Sequence, residues 1–326
     1  MAPIFAYIVH KGGVAADSAL ELAAAARKID PAASPTAILT GWGADLDAAS
    51  NALGASYPEV WKIANEALAY PNAELIRKAL QKVLPSNSIV LVAHEHFGID
   101  LAPGLSVKTN SALVTDVLDI AGVDGASLKV VRQEFGGQVS AHVRCDISSG
   151  AVITIRPGAF KPLEGTPIRG GVIDKSSDIG ALTAGRRYLE TVVAEAGDVD
   201  ITKFNVLVSI GRGIQEKDNV AIAQELADAL GAAVSCSRPV VDAKWMEKSR
   251  QVGSSGKTVK PKVYLACGIS GSFQHLAGIK GSPFLIAINK NPKAPIFQVA
   301  DVGIVDDILE FLPELTNKVR ELRHVA

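Results

Sequence analysis

The chain is poor in the residues that would tie it to several large functional classes. Cysteine occurs three times in 326 residues, at Cys145, Cys236 and Cys267, each among apolar or small neighbours and with no CxxC pair. That spacing supports neither a disulfide framework nor a zinc motif and reads as buried, reduced thiols, with Cys267 nearest to a candidate site. A basic excess is lacking too: 33 Lys and Arg stand against 34 Asp and Glu, for a net charge of −1. Nucleic acid is therefore not the expected partner. No apolar run approaches the roughly 18–20 residues that cross a bilayer, so membrane insertion is not expected. The start, "MAPIFAYIVHKGG", has neither the charged leader nor the long apolar core of a secretory signal, which points to the cytoplasm.

What is present is ordinary globular composition, 48% hydrophobic and 21% charged. The length is large for a single hydrophobic core, so two domains are expected, at 1–195 and 196–326. The first part alternates strand and helix signals. "IFAYIV" (Ile4–Val9), "TAILT" (Thr36–Thr40) and "SIVLVAH" (Ser88–His94) read as strands; Asp17–Ile29 and Asn72–Leu84 read as helices, the second capped by Asn72. Such alternation implies a parallel sheet covered by helices. "LKVVRQEF", "QVSAHVRC" and "AVITIRPG" then read as antiparallel strands separated by Gly and Ser turns. From Pro157 to Gly185 periodicity is weak, as in a segment that wraps a surface. Glu195–Asn205, "EAGDVDITKFN", is the expected linker. The second domain restarts the alternation, with strands at Asn205–Ile210, Ala232–Ser235, Val263–Ala266, Phe284–Ile288 and near Phe297–Ala300. A helix is expected from Asp218, its N-cap, to Leu230, stopping at Gly231. The expected fold class is α/β: two domains, each a mostly parallel sheet flanked by helices.

Each strand of the second domain runs into a polar, flexible stretch: "GRG", "CSRP", "CGISGSFQH", "NKNP" and "ADVGIVDD". In a parallel sheet all five stretches lie at one carboxyl edge, where open α/β sheets bind ligands. Glycine permits close backbone approach, and Ser hydroxyls with N–H groups at a helix start accept an anion. Arg212 and Arg238 add positive charge, while Asn289 and Asp307 can hydrogen-bond a base or ribose. One such loop is an ordinary turn; five together suit a dinucleotide, its pyrophosphate near Gly271.

Other motifs fail on inspection. "GRGIQE" carries Glu216 where the third glycine of a dinucleotide fingerprint belongs, and "GSSGKT" needs a glycine at Gln251 to be a phosphate-binding loop. The Gly/Ser loop Arg250–Val259 is therefore a connector or a rim. His94 and His96 in "HEHFG" have the look of metal ligands but no third partner, and no GxSxG nucleophile elbow occurs around "GISGSF". His10, His142 and His324 read as surface or half-buried residues.

From Val206 to Leu315 the run "SIGRGI…SCSRPVVDA…RQVGSSGKTVKPKVYLACGISGSFQHLAGIKG…AINKNPKAPIFQVADVGIVDDILEFLPEL" resembles the alpha subunit of electron-transfer flavoproteins. The first domain is similar more loosely, through "AHEHFGIDLAPGLS" and "IRPGAFKP". The resemblance implies a Rossmann-like FAD-binding domain at 196–326 and a first domain that contacts a beta subunit in a heterodimer. It also implies electron flow from dehydrogenases, such as acyl-CoA dehydrogenases, to a downstream acceptor. A mitochondrial-matrix placement applies if a transit peptide has been removed. By motif position, Arg212, Ser237, Arg238, Gln251, Val252, Gly253, Ser254, Ser255, Ser270, Gly271, Ser272, Phe273, Gln274, His275, Asn289 and Asp307 contact FAD. Arg238 lies by the isoalloxazine, Ser255 approaches N5, and His275 faces the pyrimidine oxygen, sharing its negative charge if protonated. The chain departs from the common pattern with Ser254-Ser255 in place of Gln-Thr and with Ile210 in place of Gly. It also lacks the cysteine-rich ferredoxin-like segment of some alpha subunits. An electron-bifurcating complex with a second flavin and a flavin-free nucleotide-binding module are the alternative readings.

Overall fold

The computed structural model describes residues 2–135, 139–163, 167–186, 188–190, 199–281 and 283–325. The chain divides into two compact units, Met1–Glu190 and Thr191–Ala326. Residues 191–198, where the expected linker from Glu195 begins, lie outside the described residues.

The first unit comprises β1 (Ile4–Tyr7), β2 (His10–Lys11), β3 (Val14–Ala15), α1 (Ser18–Ile29), β4 (Thr36–Gly41), α2 (Gly43–Leu53), β5 (Glu59–Ala64), α3 (Ala73–Val83), β6 (Ile89–Ala93), α4 (His96–Thr109), β7 (Ala112–Asp124), β8 (Ser127–Glu134), β9 (Val139–Asp146), β10 (Ala151–Ile155) and β11 (Gly171–Asp174). Nine of these strands form one sheet in the order β11-β5-β4-β1-β6-β10-β7-β8-β9, while β2 and β3 pair as a small hairpin. In β1, Ile4 and Ala6 face a core covered by α1 and α2, and Phe5 and Tyr7 face a second core covered by α3 and α4. The chain steps outward from β1 to β5 on one side, then jumps back to β6 on the other. Right-handed crossovers in opposite directions put the helix pairs on opposite faces.

The switch of direction falls between β1 and β6, where a doubly wound sheet ordinarily opens a ligand crevice. Here the crevice is about 20 Å³, lined by Tyr7, Val9, Ala16, Ser18, Val92 and Phe97 among others. That is room for about one water. Val9 and Ala16 flank the β2–β3 hairpin and are hydrogen-bonded to each other at 2.9 Å, so the hairpin's base narrows the opening.

Several expectations are corrected. The segment "AVITIRPG" is not an antiparallel strand: β10 lies between β6 and β7, parallel to both. All five of its residues are buried, which is why it reads as an unbroken apolar run. β7, α2, β5 and α4 are elements the sequence pattern leaves unassigned. β7 is parallel to β10 over its first half and antiparallel to β8 over its second. The surface-wrapping segment after Pro157 carries the chain to the far edge of the sheet, where β11 pairs with β5.

His94 and His96 do not share a strand face, because β6 ends at Ala93 and α4 starts at His96. His94 Nδ1 lies 2.8 Å from Thr154 Oγ1, and its Nε2 lies 3.8 Å from Asp116 Oδ1. Arg156 grips Asp116 at two points, 2.8 and 2.5 Å. Burial alone would raise the Asp116 pKa; the Arg156 hydrogen bonds and charge outweigh it and hold the carboxyl below its ordinary range. Among the described residues no group of three or more His, Cys, Asp or Glu is placed to hold a metal ion.

The second unit comprises β12 (Val206–Ile210), α5 (Val220–Leu230), β13 (Ala233–Cys236), α6 (Arg238–Asp242), β14 (Val263–Cys267), α7 (Phe273–Leu276), β15 (Phe284–Ile288), β16 (Val302–Ile304) and α8 (Ile308–Val325). Its sheet runs β13-β12-β14-β15-β16 with every pair parallel. One face packs Val208, Val234 and Leu265 against Leu226 of α5 and Leu312 of α8. The other face, with Leu207, Tyr264 and Ala287, is covered largely by irregular chain: Val252, Val259, Ile269 and Ile296. The expected strand near Phe297–Ala300 is a single helical turn at Pro295–Gln298, begun by the proline, and the strand follows at Val302–Ile304. Asp218 is not the N-cap of α5: Asn219 holds that position in a helical conformation, and its side-chain N–H donates to the Ile214 carbonyl instead. Gly231 ends the helix at φ +66°. No helix of the described residues is long and apolar enough to cross a membrane.

Asn72 caps α3, its side-chain oxygen accepting from the N–H groups of Glu74 at 2.9 Å and Leu75 at 3.4 Å. Asn72→Ala is expected to cost about 1 kcal/mol, read as a lower urea midpoint for the full chain.

Candidate functional site

The five strands of the second unit end at Ile210, Cys236, Cys267, Ile288 and Ile304, all at one edge. The chain reverses direction between β12 and β14, so the switch point lies between their carboxyl ends. Backbone closes that point. Gly211 N–H donates to the Cys267 carbonyl at 2.9 Å, and Gly213 N–H donates to the Gly268 carbonyl at 3.1 Å. Gly268 sits at φ +64°, and a Cβ there would lie 2.7 Å from the Gly213 Cα. Gly271, at φ +85°, would put a Cβ 2.4 Å from the Ile296 backbone nitrogen. These glycines are required first by the protein's own backbone, before any ligand.

Exposed side chains surround this seal. Arg212 follows β12, and Arg238, 69% exposed in its side chain, starts α6 after β13. Arg238 Nε lies 3.4 Å from Asp242 Oδ2, one helical turn away. Ser237, 7% exposed, is the residue before α6. Ser270, Ser272, Phe273 and Gln274 are exposed around the start of α7.

The Gln251–Ser255 loop is tied to the same edge. Val252 N–H donates to the Cys236 carbonyl at 2.8 Å, and Ser254 N–H donates to the Gln274 carbonyl at 2.7 Å. Gln251 is buried, and its amide donates to Ser255 Oγ at 2.9 Å, leaving the Ser255 proton available to a further acceptor. Gly253, at φ +141°, turns the chain between them.

Asn289 and Asp307 shape the far side. Asn289 donates to the Ile269 carbonyl and accepts from the Asn291 N–H, both at 2.9 Å. Asp307 pairs with Lys290 at 2.5 Å and accepts from the Leu309 N–H at the start of α8. The Lys290 hydrogen bond, before its other partners, holds the Asp307 carboxyl below its ordinary range.

His275, in α7, is buried at this edge. It is 4% exposed and turned beneath the edge, with Nε2 2.9 Å from the Tyr264 hydroxyl and Nδ1 3.1 Å from the Val252 carbonyl. Burial pushes its pKa down to about 4, the Val252 carbonyl opposing only in part.

Two residues here were missed by motif reasoning. Arg250, 9% exposed, donates to the Val234 carbonyl at 2.9 Å and helps anchor the loop that follows it. Tyr264 is fully buried under His275, and nothing in an apolar strand run marks it out. Cys236 and Cys267 close β13 and β14; both thiols are buried, and burial pushes each up to about 12.

Positive charge and exposed hydroxyls around the switch point of a parallel sheet are the features of a dinucleotide-binding α/β domain. Residues 200–280 match the family described as "Electron transfer flavoprotein FAD-binding domain", and residues 4–196 match "Electron transfer flavoprotein domain". The chain is 36% identical to the electron transfer flavoprotein subunit alpha of Thermoanaerobacterium thermosaccharolyticum over 81% of each chain. It is 43% identical to that of Methylophilus methylotrophus over 70% of each. A third relative is the lactate dehydrogenase (NAD(+),ferredoxin) subunit LctC of Acetobacterium woodii, 32% identical over 76% of this chain and 59% of the relative. The chain belongs to the electron transfer flavoprotein family, as an alpha subunit, and its second unit is the family's FAD-binding domain.

Gly268→Ala is expected to destabilise the chain by roughly 2–3 kcal/mol, from backbone strain and overpacking. Gly231→Ala, at a similar φ but with only the Arg323 side chain at 3.6 Å, is expected to cost about 1 kcal/mol. Urea midpoints of the two variants check the difference.

Proposed function

We propose that FAD lies along the carboxyl edge of the second unit's sheet, and that this chain is the FAD-carrying subunit of a heterodimeric electron carrier whose beta subunit contacts the first unit. The carrier takes electrons from dehydrogenases and hands them to a downstream acceptor. The observation that carries this reading is the set of exposed guanidinium and hydroxyl groups at the strand ends of the FAD-binding domain: Arg212, Arg238, Ser254, Ser255, Ser270 and Ser272. The donor set fits the cofactor, since a dinucleotide brings a pyrophosphate and two ribose groups that ask for cations, N–H groups and hydroxyls.

When bound, FAD supplies a ring system that gains and loses electrons one or two at a time. The protein's own residues do the rest. Arg238, exposed and loosely paired with Asp242, reaches the ring and favours its reduced, more negative form. Ser255, oriented by Gln251, donates to an acceptor atom of the ring. Arg212 and the Ser270–Ser272 turn hold the pyrophosphate. Asp307 accepts from a ribose hydroxyl while Lys290 keeps it ionised. Asn289, Gly253 and Gly271 set loop shape, and Val252, Phe273, Gln274 and Ser237 complete the walls.

The LctC relative favours a second reading, a complex that divides electrons between two acceptors. Cofactor content decides between them. The heterodimer co-purified with its beta partner is expected to release one FAD; two FAD supports the second reading, and failure to take up FAD on reconstitution rejects both. In the loaded heterodimer Arg238→Ala is expected to keep FAD but make its midpoint potential about 30 mV more negative, the equivalent of ~1.4 kcal/mol for a two-electron couple. An unchanged potential removes Arg238 from that role.

A further inference from the structure

The chain from Gly171 to Glu190 closes the first unit and is fastened to it in two different ways. Its first part is built in. β11 pairs with β5, Lys62 Nζ lies 3.2 Å from Asp174 Oδ2, and Ser176 Oγ accepts from the Ala64 N–H at 2.8 Å. Ile179 follows, fully buried in the core that α3 and α4 cover, with Leu182 and Ala184 partly buried against the same core. The end is laid on the surface instead: from Gly185 to Glu190 every described residue is exposed.

One stripe of α3 sets the path. Glu74, Lys78 and Lys82 follow one another at intervals of four, so they share a helix face and span roughly 12 Å of its length. Lys82 Nζ donates to the Ile179 carbonyl, and Lys78 Nζ donates to the Thr183 carbonyl at 2.6 Å. The Gly185 N–H lies 3.3 Å from each carboxylate oxygen of Glu74, which Lys78 also holds at 3.0 Å. Tyr70, just ahead of α3, stacks on Tyr188 with ring centroids 4.3 Å apart and planes 21° from parallel. The segment therefore runs against the direction of α3. The helix grips main-chain atoms, which fixes where the backbone lies whatever side chains it carries. Lys82 and Lys78 hold a stretch that Ile179 already anchors, whereas Glu74 and Tyr70 hold the exposed tip. Exposed hydrogen bonds and ring pairs compete with water, so such a tip opens locally while the core beneath stays folded.

We propose that residues 185–190 are a releasable strap: Glu74 and Tyr70 hold it against α3, and its release lengthens the chain that joins the two units while Ile179 stays seated. The first unit ends at Glu190, so every strap residue that lifts off is added to the connection. Fully extended, the strap reaches roughly 20 Å. Two side chains of the first unit thereby set the length of the tether. The functional consequence rests on the reading that the second unit carries FAD: tether length then limits how far this chain can carry its cofactor from the first unit.

Trypsin reads the strap directly. Between Lys175 and Lys203 the sequence offers it Arg186 and Arg187 alone, with no site in 191–198. Cleavage there needs the strap lifted, and its rate follows the open fraction when opening is fast. In the native full chain, Glu74→Ala and Tyr70→Ala are each expected to be cut at this pair about five- to tenfold faster than the wild type. The double variant is expected to be faster than either, and all three to keep the wild-type urea midpoint. Glu74→Gln, which keeps an acceptor for the Gly185 N–H, is expected to stay nearer the wild type. Unchanged cleavage in the variants, or faster cleavage matched by a lower urea midpoint, overturns the proposal. Hydrogen exchange of the wild type decides it without any variant: the Gly185 amide is expected to exchange at a rate that about 1 M urea leaves alone, while the amide of buried Ile63 is accelerated. Equal urea dependence of the two means that the strap opens only with the whole unit. The tether is read between spin labels at Asp45→Cys and Gln224→Cys, with Cys145→Ser. In the Glu74→Ala, Tyr70→Ala background the distances are expected to extend by up to ~20 Å; an unchanged distribution with the strap open removes the tether role. None of these readouts uses FAD, so failure to bind it counts against the cofactor reading alone.

Discussion

In the second unit, backbone meets backbone with no side chain between. Gly211 and Gly213 lie against Gly268 at the ends of the two central strands, and the neighbouring loops are positioned from that seal. The crossovers after β13, β14 and β15 all contribute to covering the same face, although α6 of the first packs on the other, and little of that covering is regular helix. Chain without its own hydrogen-bond ladder must find partners elsewhere. It finds them in cross-links: Val252 to Cys236, Ser254 to Gln274, Val259 to Gly278, Ile296 to Ser270. The loops that carry the candidate binding groups are therefore also the second layer of the domain. Binding groups that double as walls are held where the core puts them, as a preorganised site requires.

The two units treat the same topological opportunity differently. Each sheet reverses direction at a central strand pair and so offers a crevice at its carboxyl edge. In the first unit the base of a short hairpin narrows that crevice to about 20 Å³. In the second, glycine backbone joins the strand ends, and exposed arginines and serines lie around them. A shared architecture thus says little about ligand binding until the strand ends are examined residue by residue.

Much of this was legible in the sequence, and the exceptions have physical causes. Phe284–Ile288 is a strand with the bounds its apolar run suggests, because a parallel strand paired on both sides and apolar throughout has no polar face to blur them. β16 was displaced by several residues because its "VGI" is short and mostly exposed, while in the apolar "PIF" nearby Ile296 is buried in a turn. The same logic misassigned β10, whose pattern cannot tell a parallel neighbour from an antiparallel one. The gathering of polar loops at one edge followed from strand–loop alternation alone. The inward turn of His275 did not, since it depends on a tyrosine eleven residues earlier lying beneath it. Sequence adjacency to a Gly/Ser turn says which edge a residue approaches, not which way its ring faces.

The two strand-end cysteines have a consequence for chemical durability. Sulfur reacts as thiolate, and thiols held near 12 are ionised at neutral pH in only about one molecule in a hundred thousand. A domain that handles electrons is exposed to stray oxidants at the place where its reducing power concentrates. With Cys236 and Cys267 kept protonated inside the sheet, sulfur offers no rival couple to the flavin and little purchase to peroxide. The FAD-binding domain can then cycle through reduced states with these two thiols chemically silent.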